Sequence, residues 1–172
     1  MSTITPSTTL TELVDHVTTT HHAYLRAELP RLAALTAQAA SQPGPHQGAL
    51  QESAALLERF AREMLAHMDY EERVVFPLVV AIERGGPGAE LAYRQLAGQR
   101  SELEAVHGGT GAELDELHRI CDAVPAPTEA EPLLAELLDA YGRVITDTFS
   151  HVTVENDVMV PRALLLGQAA FD

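Results

Sequence analysis

The phrase His67-Met68-Asp69-Tyr70-Glu71, running on to Phe76-Pro77, is written a second time as His151-Val152-Thr153-Val154-Glu155, running on to Val160-Pro161. Both copies read His-x-x-x-Glu with a proline six residues after the glutamate. Four residues make about one helical turn, so each imidazole and its carboxylate share a helix face and can point at one object. Two further histidines keep the register: 45 residues separate His22 from His67, and 44 separate His107 from His151. Each half of the chain therefore reads His, the length of a helix hairpin, then His-x-x-x-Glu. Two such hairpins facing each other would gather four imidazoles and two carboxylates in one place.

The chemistry that needs such a set is metal coordination. Isolated carboxylates and imidazoles on apolar seams are costly to bury unpaired, and a shared ion removes that penalty. Four imidazoles with two carboxylates suit iron or manganese better than structural zinc, which favours thiolate-rich four-coordination. Two carboxylates can bridge two ions, leaving two histidines for each and open positions for a small molecule or an oxo bridge. A lone histidine on a helix seam is ordinarily a hydrogen-bonded core residue, and a His–Glu ion pair is the plainer alternative for each copy. The matched spacing of the repeat is what sets these six apart.

Other candidates fare less well. His16 and His21 fall off the seam of the first helix, and His118 lies about 16 Å along the axis from His107. All three read as surface residues. His46 starts from a loop and is at most a fifth imidazole ligand. Glu72, beside Glu71, is rotated away and reads as solvated. Tyr70, Tyr93 and Tyr141 read as aromatic packing, with Tyr141 in a position to hydrogen-bond a ligand. Arg100 occupies a seam position without an identifiable partner.

Four helical segments must position these groups. Residues 1–8 read as a disordered lead-in, 9–168 as one bundle and 169–172 as a tail. Thr9-x-x-Glu12 has the form of a capping box, and a helix running to about Ala40 follows. Its seam is Leu10, Val14, Thr18, His22, Leu25, Leu29 and Leu32, and Pro30 should kink it. Ser41 to Gly48 is a connector, and the second helix, from about Ala49 to Arg84, has the seam Phe60, Met64, His67, Glu71, Val74, Leu78. Gly85-Gly86-Pro87-Gly88 ends it. The third helix, about Ala89 to Cys121, carries His107 on its seam, beside Gly108, Gly109 and Gly111, whose clustering points to close backbone approach or to open room. After Val124-Pro125-Ala126-Pro127, a second capping box at Thr128-x-x-Glu131 starts the fourth helix, with the seam Leu134, Leu137, Tyr141, Val144, Thr148, His151, Glu155, Val158, ending near Gly167. The expected fold is all-α, an up-down-up-down four-helix bundle.

Composition narrows the function classes. A net charge of −14 over 172 residues repels phosphate backbones and anionic membrane surfaces, which argues against nucleic-acid and membrane partners. The one cysteine, Cys121, cannot form an internal disulfide, and the start of the chain lacks the pattern of an export signal. The longest apolar stretch, Val74 to Ile82, is interrupted by Pro77 and falls short of the ~20 residues of a membrane span. A cytoplasmic location is expected.

His22 ahead of Leu29-Pro30-x-Leu32, His67-x-x-x-Glu71-Glu72 ahead of Phe76-Pro77, His107 ahead of Gly108, and His151-x-x-x-Glu155-Asn156 ahead of Pro161 resemble the hemerythrin-like, His-His-Glu cation-binding family. The likeness is nearest to the C-terminal di-iron domain of repair-of-iron-centres proteins, and it covers residues 10–166. It implies a non-haem di-iron site in which Glu71 and Glu155 bridge the irons and His22, His67, His107 and His151 are terminal ligands. It also implies reactivity with nitric oxide, oxygen or peroxide in stress defence, with an iron–sulfur protein as acceptor or an electron donor as partner. The family's repair proteins usually carry an N-terminal cysteine motif, which the residues ahead of the first helix do not supply. They also tend to have a histidine in the connector before the second helix, where an ungapped match places Pro43, three residues before His46. A non-enzymatic oxygen-binding or sensing module, or an iron donor, is the alternative reading.

Overall fold

The computed structural model describes residues 4–124, 126–128 and 131–171. Four long helical runs account for most of them: α1 (residues 10–40), α2 (residues 47–84), α3 (Ala89–Asp122) and α4 (residues 132–171). No strand occurs among the described residues, so the fold is all-α. At the start, Thr9 caps α1 through a reciprocal capping box with Glu12. Glu83 near the end of α2 accepts from the Leu10 and Thr11 backbone N–H groups, satisfying donors that a helix start leaves open. Between α2 and α3, Gly85, Gly86 and Gly88 all take positive φ (66°, 81° and 92°), a turn that side chains would resist.

Several expectations meet corrections. Residues 4–8 are not a loose lead-in: Ile4 packs on the core and the Thr8 N–H donates to the Thr5 carbonyl. Residues 1–3 and Asp172 lie outside the described residues. Pro30 lies inside the helical segment Ala23–Ala40, so the bend expected there does not end the helix. Thr128 and Glu131 do pair, but regular helix begins at Pro132, and α4 continues to Phe171. A Cβ at Gly108, Gly109 or Gly111 would meet nothing within 4 Å, so these glycines mark open space rather than close approach.

The chain divides into two compact units, each drawing one segment from every long helix. The first takes the chain up to Ala23, then His67–His107, then from Ser150 on. In it, the start of α1 bonds the end of α2 through Glu83, while His22 meets Glu72 at the other end. Tyr93 lies against Gly167 as His107 meets Asn156. Consecutive segments therefore run antiparallel, in the up-down-up-down order the sequence predicts. Leu10, Leu13, Val17, Val75, Phe76, Val79, Ile82, Leu96, Leu103 and Met159 form its core. Each such side chain fully buried contributes about 1.5–3 kcal/mol.

The second unit takes Tyr24–Ala66 and Gly108–Phe149. Arg31 pairs with Glu28 and Glu136, and Arg59 with Glu113. The Thr36 hydroxyl donates to the Leu32 carbonyl and accepts from buried Tyr141.

Candidate metal centre

The four segments of the first unit enter or leave it at Ala23, His67, His107 and Ser150, and the repeated residues cluster at those ends. His22, Glu71, His107, His151 and Glu155 are buried, and the His67 side chain is only 8% exposed. Three of the stretches that carry them are widened, π-helical turns: Val17–His22, Glu71–Val75 and Val154–Met159. A π turn holds one residue more than an α turn and is frequently found at functional sites. The repeated proline marks the end of two of them. Just before Pro77 the Phe76 N–H reaches back five residues to the Glu71 carbonyl, and just before Pro161 the Val160 N–H reaches back to that of Glu155. Proline donates no hydrogen bond and crowds the carbonyl four residues back, which disfavours regular α continuation there.

Widening has a second effect. Neighbours in an α-helix point about 100° apart, so only one of two consecutive residues faces a given neighbour. Here consecutive pairs both turn inward: His21 with His22, Glu71 with Glu72, Glu155 with Asn156. His22 Nδ1–H donates to Glu72 Oε1 at 2.8 Å, and His107 Nδ1–H donates to Asn156 Oδ1 at 2.7 Å. In their neutral forms both rings then carry the proton on Nδ1 and aim the Nε2 lone pair into the cluster.

The inward atoms form two groups of four residues each. In one, the Nε2 atoms of His22 and His151 are 3.0 Å apart, with Glu71 Oε2 at 3.5 Å from His22 and Glu155 Oε1 at 3.1 Å from His151. In the other, the Nε2 atoms of His67 and His107 are 2.9 Å apart, with Glu71 Oε1 at 3.1 Å from His67 and Glu155 Oε2 at 3.5 Å from His107. Each carboxylate thus sends one oxygen to each group.

Charge follows from this packing. Burial alone would raise the Glu71 carboxyl, yet the imidazoles of His107, His22 and His67 that face it hold it well below the usual carboxylate range. Burial and the charge on Glu71 push Glu155 well above that range. Burial takes His151 down to about 3. Burial also opposes the His22 and His107 cations, but their bonds to Glu71, joined by Glu72 at His22, raise both above the ordinary imidazole value.

The sequence profile of the hemerythrin HHE cation binding domain matches residues 13–163. The chain belongs to this family. Among its relatives, the "Iron-sulfur cluster repair protein YtfE" of Cronobacter sakazakii is 30% identical over 159 residues, covering 90% of this chain and 66% of the relative. Proteins of the same name from Salmonella paratyphi B and Salmonella newport are each 28% identical over 159 residues. The chain spans 66% of the length of these relatives.

The hemerythrin HHE site fits a cation on its own terms. Glu71 Oε2 and both Glu155 oxygens are buried without a hydrogen-bond partner, a costly arrangement for carboxylate atoms unless something positive meets them. Two donors each about 2.1 Å from a shared ion and at right angles to it lie about 3.0 Å apart, close to the nitrogen–nitrogen and shorter nitrogen–oxygen spacings here. No helix among the described residues is long and apolar enough to cross a membrane.

Residues around the hemerythrin HHE core depart from the sequence reading in instructive ways. Glu72 is not simply solvated, since it holds His22 while lining a cleft of about 630 Å³ with Val14, Thr18, Phe76, Pro77 and Arg84. His21 is no surface residue: it is 7% exposed and its ring stacks on that of His151, centroids 5.9 Å apart, because the π turn draws it inward. His16 lies edge-on to His21. His118 is exposed as expected. His46 belongs to the second unit, lines a cleft there with Gln42, Glu131 and Leu134, and is in neither group of four. Tyr141 gives its hydroxyl to Thr36. Arg100 is exposed and pairs with Glu104. Neither composition nor periodicity marks Asn156 as a His107 partner; the signal for it is its place in the repeat, following Glu155 as Glu72 follows Glu71.

Proposed function

We propose that this domain holds two iron ions and reacts with nitric oxide, oxygen or peroxide in stress defence, in support of iron–sulfur centre repair of the kind named for its relatives. The observation that carries this reading is the division of both carboxylates between two histidine pairs. In it, His22 and His151 would hold one ion, His67 and His107 the other, and Glu71 and Glu155 would offer an oxygen to each. Iron suits this mixed nitrogen and oxygen set, and manganese is the second choice. When bound, the iron pair supplies the redox chemistry toward the small molecule. The protein would hold the ions among buried side chains, with Glu72 and Asn156 setting the tautomers of His22 and His107. With four protein donors for each ion, the ligand set falls short of six and leaves positions for a diatomic or peroxide.

Metal content and visible absorption test this. Wild-type protein reconstituted with iron(II) should hold two irons per chain, and His67→Ala or Glu155→Ala should lower both iron content and thermal stability, because ligand loss weakens a fold coupled to its metal. Unchanged iron content in both variants would refute the ligand assignment. Stopped-flow spectra of the reduced protein separate the chemistries: turnover of nitric oxide or peroxide supports the reading, whereas a stable, reversible oxygen adduct identifies a carrier or sensor.

A further inference from the structure

The two histidine pairs are alike in their inward atoms and unlike in what stands behind them. His22 and His107 occupy matched places in the repeat, and each donates its Nδ1–H to the residue that follows a bridging glutamate. Behind His22 that residue is a carboxylate, Glu72, and behind His107 it is a neutral amide, Asn156. Both hydrogen bonds orient the ring. Only the carboxylate also brings a negative charge and a charge-assisted bond, roughly twice as strong as a neutral one, which makes the opposite ring nitrogen a better donor. His151 does nothing to cancel the difference, since its Nδ1 is buried without a hydrogen-bond partner.

We infer that Glu72 makes the two ion positions unequal, the His22–His151 position being the tighter of the two. This inference rests on the two-iron reading above and adds that the positions fill in order. Glu72 acts through His22 and is a positioning residue. It is 30% exposed and lines the cleft beside Phe76, Pro77 and Arg84, so this carboxylate stands between the outer surface and one imidazole of the site. The wide turn at Glu71–Val75 places it, as the wide turn at Val154–Met159 places Asn156.

Anaerobic titration of the metal-free full chain with iron(II), with iron-57 Mössbauer spectra at one equivalent, tests the order of filling. Wild-type protein should show two separable steps and one dominant quadrupole doublet at one equivalent. Glu72→Gln keeps a hydrogen-bond acceptor for His22 but removes the charge. It should weaken the tighter step by about 10–100-fold, leave the other nearly unmoved and give two doublets at one equivalent. Asn156→Asp supplies the missing charge on the other side and should tighten the weaker step. A Glu72→Gln protein that keeps the wild-type separation, or loses both steps equally, overturns the inference, as do two equal steps in the wild type. An Asn156→Asp protein with unchanged steps does the same even if Glu72→Gln fails to fold. Wild-type protein that takes up no iron would instead bring down the two-iron reading itself.

Discussion

The shifted groups of the buried cluster make the stability of the metal-free protein depend on pH. His22, His107 and Glu155 all have raised pKa values, so the stability they contribute is present at low pH and lost as pH rises through those values. Glu71, held low, and His151, at about 3, keep one charge state throughout pH 7 to 8.5 and do not offset that loss. The other groups facing them are Glu72, His67 and His21. Metal binding displaces the protons from the raised groups, so the gain in Tm on iron loading should grow from pH 7 to pH 8.5. Calorimetry of metal-free and iron-loaded protein checks this, and a gain that is flat or shrinks over that range would contradict it. At the same scale, the six converging residues were readable because they recur at matched intervals. Their hydrogen-bonding neighbours Glu72 and Asn156 were not, because an ordinary α-helix would turn each of them about 100° away.

Helix phase is where the sequence reading slipped, and the π turns explain how. A seam stepped at three and four residues continues past Glu71 to Val74 and Leu78, but the structure buries Val75 and Val79. Past Glu155 it continues to Val158, whereas Met159 is buried. In α1 the slip lies ahead of His22, with Leu13 and Val17 buried instead of Val14 and Thr18. Each slip is one residue, the extra residue of a widened turn. In α3 there is no such turn, and His107 is followed instead by exposed Gly108 and Gly109 and half-buried Gly111 inside regular helix. A methyl group at any of the three meets nothing within 4 Å. Alanine there should therefore stabilise the metal-free protein by about 0.5–1 kcal/mol per site, read as a higher urea midpoint. Gly167 is the opposite case: an added Cβ would lie 2.5 Å from Tyr93 Cδ2 and 2.7 Å from its Cγ. Gly167→Ala should destabilise by about 1–3 kcal/mol, through overpacking of α3 against α4. Equal midpoints for wild type and Gly167→Ala would show that Tyr93 yields without cost.

For the molecule as a whole, fold class was readable from sequence, since long apolar seams and short connectors are properties of composition and period. Division into two compact units was not, because every long helix passes through both and no change of composition marks the passage. What the first unit holds is self-contained: all six repeated residues, Glu72 and Asn156 belong to it. The most direct measurement is an anomalous-difference map at the iron absorption edge from crystals of iron-loaded protein. Two peaks are predicted, one between the Nε2 atoms of His22 and His151 and one between those of His67 and His107, with Glu71 and Glu155 touching both. A single peak, or a cluster joined only by hydrogen bonds after iron loading, would contradict the account.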